Sequence, residues 1–266
     1  MKTVLYIIIS LLLLPLAYSC GGGEEAHRLS RAERERLKRE DSAALKIGVL
    51  PTEDCLPIIV AKELRLYDTL GVSVHLRRYR AMSECRLALC DSLVEGAVID
   101  STLMAQLNEG DAWLYNALST DMQWRFLTAK KARISRLEQL TDKIIAADSH
   151  GESHRLAEQV IDSLLKKGQL VFIVQVEDLD VRTKMLCSGN VDAALLPEPY
   201  ATKARKQGAR LIDRVVSKPA GVLALRKKAM QDSTRRQQYQ LFLKAVEVAR
   251  DSIRRYGKNH YTKYLE

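Results

Sequence analysis

From Leu45 onward, short apolar runs alternate with helical segments, and this alternation limits the possible fold more than any other feature of the chain. The predicted strands cover residues 45–50, 72–79, 97–99, 112–118, 124–129, 143–147, 171–176, 191–196 and 221–225. The predicted helices cover residues 56–66, 83–93, 152–166, 181–186, 199–207 and a C-terminal segment that ends at Gly257. Strands that alternate with helices in this way predict an α/β protein with mostly parallel sheets.

The alternation restarts in the second half of the chain and carries a short internal repeat. Residues 89–99 align without gaps on residues 186–196, with Leu, Cys and Ala matching and Glu95 opposite Asp192. Each stretch is the end of a helix, a turn and a buried strand. Convergence on a common turn is one interpretation. Two similar lobes are the other, and the restart of the alternation favours them.

The N-terminus has the three regions of an export signal. Lys2 precedes an apolar run over residues 4–16, and the small residues Ala17 and Ser19 precede Cys20. This order predicts a secretory signal, and the run is too short for a comfortable transmembrane helix. A cysteine directly after the cleavage site resembles a bacterial lipoprotein signal, although Ala17 replaces the usual Leu. The resemblance implies acylation of Cys20 and a membrane-anchored lipoprotein on the periplasmic or cell-surface side; ordinary secretion is the alternative.

The segment that follows Cys20 is dominated by charge. Residues 21–44 contain six acidic and six basic residues and almost no apolar face. Such a segment can be helical through paired charges, but it cannot pack a core. Three glycines followed by acidic residues also resemble the surface-export signals of Bacteroidetes lipoproteins. The sequence therefore predicts a charged tether between the anchor and the folded protein.

The basic character of the chain is concentrated at its C-terminus. Of the formal net charge of +9, a balance of +7 lies in residues 226–266, where apolar residues at helical spacing predict an amphipathic helix. A solvated polar face explains these basic residues, and docking on an acidic partner or on anionic lipid is the alternative. Nothing resembles a nucleic-acid-binding module, so no nucleic acid is expected as a partner.

The cysteines predict neither a metal site nor a cofactor. Apart from Cys20 they are Cys55, Cys85, Cys90 and Cys187, with no CxxC spacing and no histidine at metal-ligand spacing. Cys85 and Cys90 are poorly spaced for a mutual bridge on one helix. Cys55 and Cys85 can meet if their loops face one cleft, so a disulfide and buried free thiols both stay open.

Five stretches of the chain carry a family resemblance: Leu45–Thr52, Leu56–Glu63, Gly71–His75, Glu95–Asp100 and Ser188–Tyr200. They resemble the type II substrate-binding proteins of ABC importers, in the branch for thiamine pyrimidine precursors, sulfonates and nitrate. Glu95 replaces the commoner Asp of the family's acidic-Gly-Ala-x-x-Asp turn, whereas Ser188–Tyr200 matches the second-lobe motif closely. The resemblance covers roughly residues 45 to 256.

The resemblance implies two similar α/β lobes joined by two crossover segments, near residues 119–130 and 214–221, with ligand bound between them. It implies a small-molecule ligand, an ABC permease and its ATPase as partners. The expected organisation is residues 1–19 as signal peptide, 20–44 as tether, 45–125 as the first part of lobe 1, 126–216 as lobe 2, and 217–266 as the return to lobe 1 with the basic C-terminal helix.

Polar residues follow the predicted strands at their carboxyl ends, where open α/β sheets bind ligands. The candidate ligand-binding residues are Thr52, Asp54, Arg80, Asp100, Ser101, Ser149, His150, Glu177 and Glu198. Helix capping explains Asp100, Ser101 or Ser149 equally well, and Glu198 between two prolines can orient a turn. Because Asp100 and Glu198 follow corresponding strands of the internal repeat, we expect them to flank one ligand.

The charge of these candidates indicates a type of ligand. Acidic residues outnumber Arg80, which disfavours nitrate or a sulfonate and favours a neutral-to-cationic compound such as an aminopyrimidine. Trp124, Tyr79 and Tyr200 are candidates to stack on a ring. No GxSxG elbow is present, and we expect a binding protein rather than an enzyme. An enzyme of cofactor-precursor metabolism on the same fold and a transporter-independent solute sensor remain the alternatives.

Overall fold

The computed structural model describes residues 30–216 and 220–265. The predicted signal peptide, Cys20 and the first part of the tether lie outside these residues. The chain divides after Ser42 into two compact units. The first contains most of helix α1, Arg31–Ala43, which buries no residue. Ion pairs Arg31–Glu35 and Arg36–Glu40, at 3.3 and 3.1 Å, run along this helix, as its charge pattern leads us to expect.

The second unit, Ala43–Glu266, contains all the strands that the structure describes. In chain order they are β1 Leu45–Val49, β2 Val74–Arg78, β3 Gly96–Asp100, β4 Leu114–Thr120, β5 Arg125–Thr128, β6 Lys143–Ala147, β7 Val171–Gln175, β8 Ala193–Leu196, β9 Arg210–Val216 and β10 Gly221–Arg226. The helices of this unit are α2 Leu56–Glu63, α3 Leu66–Thr69, α4 Met82–Cys90, α5 Ser101–Leu107, α6 Gly151–Leu165, α7 Leu179–Ser188, α8 Tyr200–Lys206 and α9 Ser233–Tyr256.

These strands form two five-stranded sheets, one in each lobe. The first has the order β2-β1-β3-β10-β4 and the second the order β7-β6-β8-β5-β9. In each sheet the first three strands are parallel, and the last two pairings are antiparallel. The predicted α/β class with two similar lobes is confirmed. The predicted strands are present, each within two residues of its predicted ends.

Strand β9 is the described strand that the sequence pattern missed. Charged residues at Arg210, Asp213 and Arg214 interrupt its apolar run, so it lacks the signature of a buried strand. The structure places β9 at the edge of the second sheet, where it pairs with β5. Edge strands tolerate charge because one side faces no partner strand, which explains why hydrophobic pattern alone overlooked it.

The C-terminal helix α9 packs against the first lobe through the face that its spacing predicts. Tyr239, Phe242, Val246 and Ala249 are buried, and Phe242 stacks on Tyr67 with ring centroids 5.5 Å apart. Tyr256, predicted on the same face, is exposed, since it lies in the last turn. None of the helices in the described part of the chain is both long and apolar enough to span a lipid bilayer. The four described cysteines are free thiols, and Cys55 and Cys85 are buried.

The internal repeat has a structural basis in two equivalent carboxylates. Glu95, just before β3, accepts a hydrogen bond of 2.7 Å from the backbone N–H of Lys46 in β1. Asp192, just before β8, accepts one of 3.0 Å from the N–H of Ile144 in β6. Each acid also donates its own N–H to the carbonyl of the same partner residue. The matched acids therefore fix the same strand register in both lobes.

We expect Glu95→Ala and Asp192→Ala each to lower the free energy of unfolding by about 1–2 kcal/mol, since each removes a charged acceptor from a strand N–H. Urea unfolding measures this loss. Glu109→Ala is the matched control, because Glu109 is exposed after α5. Losses no larger than that of the control would show that the two carboxylates do not hold the strands.

Candidate functional site

The loops after the parallel strands of the two sheets meet each other. The N–H of Glu53, after β1, donates to the carbonyl of Glu198, after β8, at 2.9 Å. The N–H of Leu179, after β7, donates to the carbonyl of Arg80, after β2, at 3.2 Å. The carboxyl edges of the two sheets therefore face one another, which is where an open α/β sheet binds its ligand.

Asp100 at the end of β3 makes the central contact between the lobes. Its Oδ1 accepts the N–H of Leu103 at 2.7 Å and caps α5, and its Oδ2 accepts the N–H of Glu152 at 3.0 Å in the first turn of α6. Gln106 accepts the N–H of Gly151 at 3.0 Å, and Thr102 donates to Glu152 at 2.6 Å. One carboxylate therefore satisfies the ends of two helices from different lobes.

Gly151 permits this close approach. It has φ of +77°, and a Cβ there would lie 2.8 Å from Oδ2 of Asp100. Asp100 is only 1% exposed. Burial raises the pKa of Asp100 from its ordinary 3.8 to about 7, against the two backbone N–H groups, which lower it.

The strand ends of the second lobe are held by a buried ion pair that sequence reasoning missed. Arg182 of α7 pairs with Asp148, which follows β6, and both side chains are almost fully buried. The guanidinium also donates to the carbonyls of Val176 and Leu195 at 2.7 and 2.9 Å. The ends of β6, β7 and β8 are thus tied to one side chain. The sequence signal for this arginine is its spacing: Arg182 lies three residues after Leu179 and four before Leu186, on the same helix face as these two leucines.

Ser149, His150 and Glu177 lie together beside this ion pair. Ser149 donates its N–H to Glu177 at 2.8 Å, and its hydroxyl lies 2.8 Å from Nδ1 of His150. Burial pushes the pKa of Glu177 upward, but hydrogen bonds from Ser149 and Ser83 outweigh it and hold the pKa below its ordinary value. The space here is about 10 Å³, room for no more than one water.

A much larger cavity of about 370 Å³ lies beside the crossover between the lobes. Both lobes contribute to its wall, together with the segment between β4 and β5 and the C-terminal end of α9. The wall is rich in charge of both signs, from Glu53, Asp54, Asp121, Arg125, Glu198, Arg250, Arg254 and Lys258. A volume of this order suits a small metabolite.

Asp54 is the buried acid of this cavity wall. It lies in a short 3-10 turn after β1, is 8% exposed, and accepts the hydroxyl of Thr120 at 3.1 Å. Among the residues that the structure describes, no Lys, Arg or His pairs with it. Burial raises the pKa of Asp54, against hydrogen bonds from Thr52 and Thr120. The site thus holds a desolvated carboxyl group without a counter-ion, and bringing a cation to it would be favourable.

Comparison with known proteins assigns the family. A model of the NMT1-like family matches residues 38–261. The chain belongs to the NMT1-like family. No curated protein matches the sequence significantly.

Solved structures share the fold of this NMT1-like protein at low identity. The ligand-binding component of an ABC-type import system from Staphylococcus aureus, with zinc bound, is 14% identical with a TM-score of 0.64, over 84% of this chain and 83% of that one. The alkanesulfonate-binding protein SsuA from Xanthomonas axonopodis pv. citri, bound to MOPS, is 18% identical with a TM-score of 0.63, over 84% and 78%.

The periplasmic nitrate-binding protein NrtA from Synechocystis PCC 6803 is 15% identical with a TM-score of 0.63, over 79% of this chain and 61% of that one. These likenesses confirm the periplasmic binding protein fold, and the family match agrees with the resemblance that the sequence shows. In residues 30–216 and 220–265 of this NMT1-like chain, no three His, Cys, Asp or Glu side chains form a group that could hold a metal ion.

The structure brings the predicted site residues to three places. Asp54 and Glu198 line the large cavity, and Thr52 supports Asp54. Ser149, His150 and Glu177 line the small space. Asp100 lies in the contact between the lobes, outside both linings.

The other predicted residues lie near this contact or at the surface. Ser101 begins α5 and Arg80 is exposed. Trp124 is buried with the guanidinium of Arg182 over its ring, 5.7 Å from the centroid. Glu198 also accepts the N–H of Thr202 at 2.9 Å and so caps α8. Glu198 lines the large cavity and Asp100 does not, and a ligand role for each predicted residue stays a prediction.

Sequence reasoning missed the cavity residues that come from the crossover and from α9. Arg125 begins β5, which runs antiparallel to the other strands of its sheet, so the rule about carboxyl ends did not select it. Thr120 ends β4 and Asp121 follows it, beyond residue 118, where the sequence pattern ends this strand. Arg250 and Lys258 were interpreted as part of a solvated basic face. No local pattern marks either group as cavity-lining.

We expect the pH dependence of stability to report the buried Asp100. In the folded protein the carboxyl group of Asp100 is protonated below about pH 7, whereas in the unfolded chain it is protonated only below about pH 3.9. Between these values the folded state binds more protons, so the free energy of unfolding falls as pH rises. Asp100→Asn removes this contribution. The difference between wild type and variant should therefore shrink by roughly 2–3 kcal/mol from pH 5 to pH 8.

Urea unfolding across that pH range measures the difference. Asp91→Asn is the control, because Asp91 is exposed after α4, and its curve should run parallel to that of the wild type. The titration of Asp54 contributes equally to the pH dependence of wild type and both variants, so it cancels when their free energies of unfolding are subtracted. A constant difference between wild type and Asp100→Asn would show that Asp100 titrates as it does in the unfolded chain.

Proposed function

We propose that this NMT1-like protein is the extracytoplasmic substrate-binding component of an ABC importer, and that it holds a small metabolite in the cavity beside Asp54. The family and the fold shared with importer binding proteins support the role. A permease and its ATPase are the corresponding partners. Such proteins bind and release, and catalysis has no place in the proposal.

The buried carboxyl group of Asp54 carries the proposal for the ligand. A desolvated acid that no Lys, Arg or His of the described residues pairs with binds best a ligand that brings a positive charge or a strong N–H donor. Glu198 and Asp121 add negative charge to the same wall. The ligand is therefore a compound with an amine, amidine or aminopyrimidine group.

Binding of cationic probes tests this function. Histamine, agmatine and an aminopyrimidine are titrated separately, because a ligand that binds only the folded state raises the melting temperature with its concentration. We expect at least one to bind wild-type protein. Asp54→Asn should weaken that binding about tenfold to a hundredfold, because it removes a charged hydrogen-bond acceptor.

Asp91→Asn, at the opposite edge of the sheet, is the matched control and should keep wild-type affinity. Calorimetric dissociation constants separate a loss of binding from a loss of stability. Unchanged affinity in Asp54→Asn, or binding of anionic probes alone, contradicts the proposal.

We further propose that the protein is a lipoprotein anchored through Cys20, which lies outside the described residues. The order of charged, apolar and small residues before Cys20 supports this. Stable attachment needs more than one acyl chain, as a lipid-modified cysteine can provide. The charged segment before Ala43 then tethers the binding unit to the membrane.

We expect wild-type protein to partition with membranes, and Cys20→Ser to release the protein or to block its processing. Fractionation and labelling with a radioactive or clickable fatty acid measure both effects. Cys90→Ser is the control, since Cys90 is an exposed free thiol of the folded unit. Wild-type protein found wholly in the soluble fraction contradicts the anchor.

A further inference from the structure

The charges around the large cavity differ in whether the protein has already neutralised them. Lys258 pairs with Glu53 at 3.1 Å. Arg250 pairs with Glu247 at 2.9 Å and donates to the carbonyl of Ser119 at the same distance. These cations are therefore already engaged by protein groups.

Arg254 is engaged in the same way, by Asp251 at 3.0 Å. Counting the lining charges alone would suggest a balanced wall. Among the described residues, the lining charges that lack an ion-pair partner are three acids, Asp54, Asp121 and Glu198, and one base, Arg125. Asp54 is the buried one of these acids.

Arg125 is the cation of the wall that no protein group engages. Across residues 30–216 and 220–265, its guanidinium has no carboxylate or carbonyl partner. Arg125 is the first residue of β5 in the second sheet and pairs with Leu196 of β8. Leu196 precedes Glu198 by two residues. Phe126, next to Arg125 in the strand, is fully buried, whereas Arg125 itself is half-buried and lines the cavity.

Asp54 and Arg125 thus present two unpaired and opposite charges to one cavity. Asp54 belongs to the first lobe and Arg125 to the second, so a ligand that engages both bridges the lobes. A guanidinium offers a planar fork of donors that fits a carboxylate, and a buried carboxylate fits a cationic nitrogen.

From this arrangement we infer that the ligand is a small zwitterion, with its cationic nitrogen at Asp54 and its carboxylate at Arg125. The inference rests on the proposed binding function and narrows its substrate class. It replaces a neutral-to-cationic ligand with one that carries charge of both signs. Amino acids and their close relatives belong to this class, whereas simple amines and simple acids satisfy only one of the two residues.

Matched pairs of probes test the inference on the full chain purified in mild detergent. Each pair is an amino acid and the amine left by its decarboxylation: histidine with histamine, arginine with agmatine, lysine with cadaverine. Calorimetry is run on wild type, Arg125→Gln and Asp54→Asn. We expect at least one amino acid to bind wild-type protein about tenfold to a hundredfold more tightly than its amine.

Arg125→Gln should abolish that preference while the affinity for the amine changes little. Asp54→Asn should weaken both members of the pair. Arg125→Lys keeps the charge without the fork and should retain part of the preference. Arg205→Gln, an exposed arginine of α8, is the control and should behave as wild type. Melting temperatures confirm that each variant is folded.

The outcomes separate the two levels of the proposal. Equal binding of amino acid and amine by wild-type protein, or a preference that survives Arg125→Gln, overturns the zwitterion inference and leaves the binding function standing. Failure of every member of every pair to bind overturns the inference, and if the aminopyrimidine also fails to bind, the binding function is overturned with it.

Discussion

The structure of the two-lobed unit depends on one carboxylate that serves two helices. Asp100 ends β3 and caps α5 in its own lobe, while its second oxygen accepts an N–H from the first turn of α6 in the other lobe. A helix N-terminus carries unsatisfied donors and partial positive charge, so a buried acid is a fitting partner for it. Because Gly151 has no side chain, Asp100 of one lobe is in direct contact with the start of α6 in the other. The larger space for a ligand lies nearer the crossover.

Three aspartates are buried in the part of the lobes that the structure describes, and their partners differ. Asp148 is paired with the buried Arg182. Asp100 is satisfied by two backbone N–H groups. Asp54 has the hydroxyl of Thr120 and no cation among the described residues. The first two aspartates hold strand and helix ends, whereas we propose that the third takes its cationic partner from a ligand. This difference in partners, rather than burial itself, is the ground for proposing Asp54 as a binding residue.

The sequence predicted the fold better than the site because the two depend on patterns of different range. Hydrophobic period and turn residues are local, so strands, helices and the paired roles of Glu95 and Asp192 could be inferred from short stretches. The choice between a cap and a ligand contact is not local. Asp100 and Asp54 both follow strands in similar sequence surroundings, and what separates them is the N–H of Glu152, about 50 positions further along the chain. No local sequence pattern around Asp100 predicts that contact.

The type of ligand could not be predicted from local sequence either, because it depends on which charges the folded chain brings to the cavity. Counting acids at strand ends favoured a neutral-to-cationic ligand, since Arg80 was the single base in that set. The cavity also draws on the start of the antiparallel strand β5 and on the end of α9, which add four bases to its wall. Three of these bases are engaged by protein carboxylates, so neither the acid count nor the total charge decides what the cavity binds. We therefore base the proposal on the charge left after pairing among the described residues, which is one cation, Arg125, and three acids, of which Asp54 is the buried one.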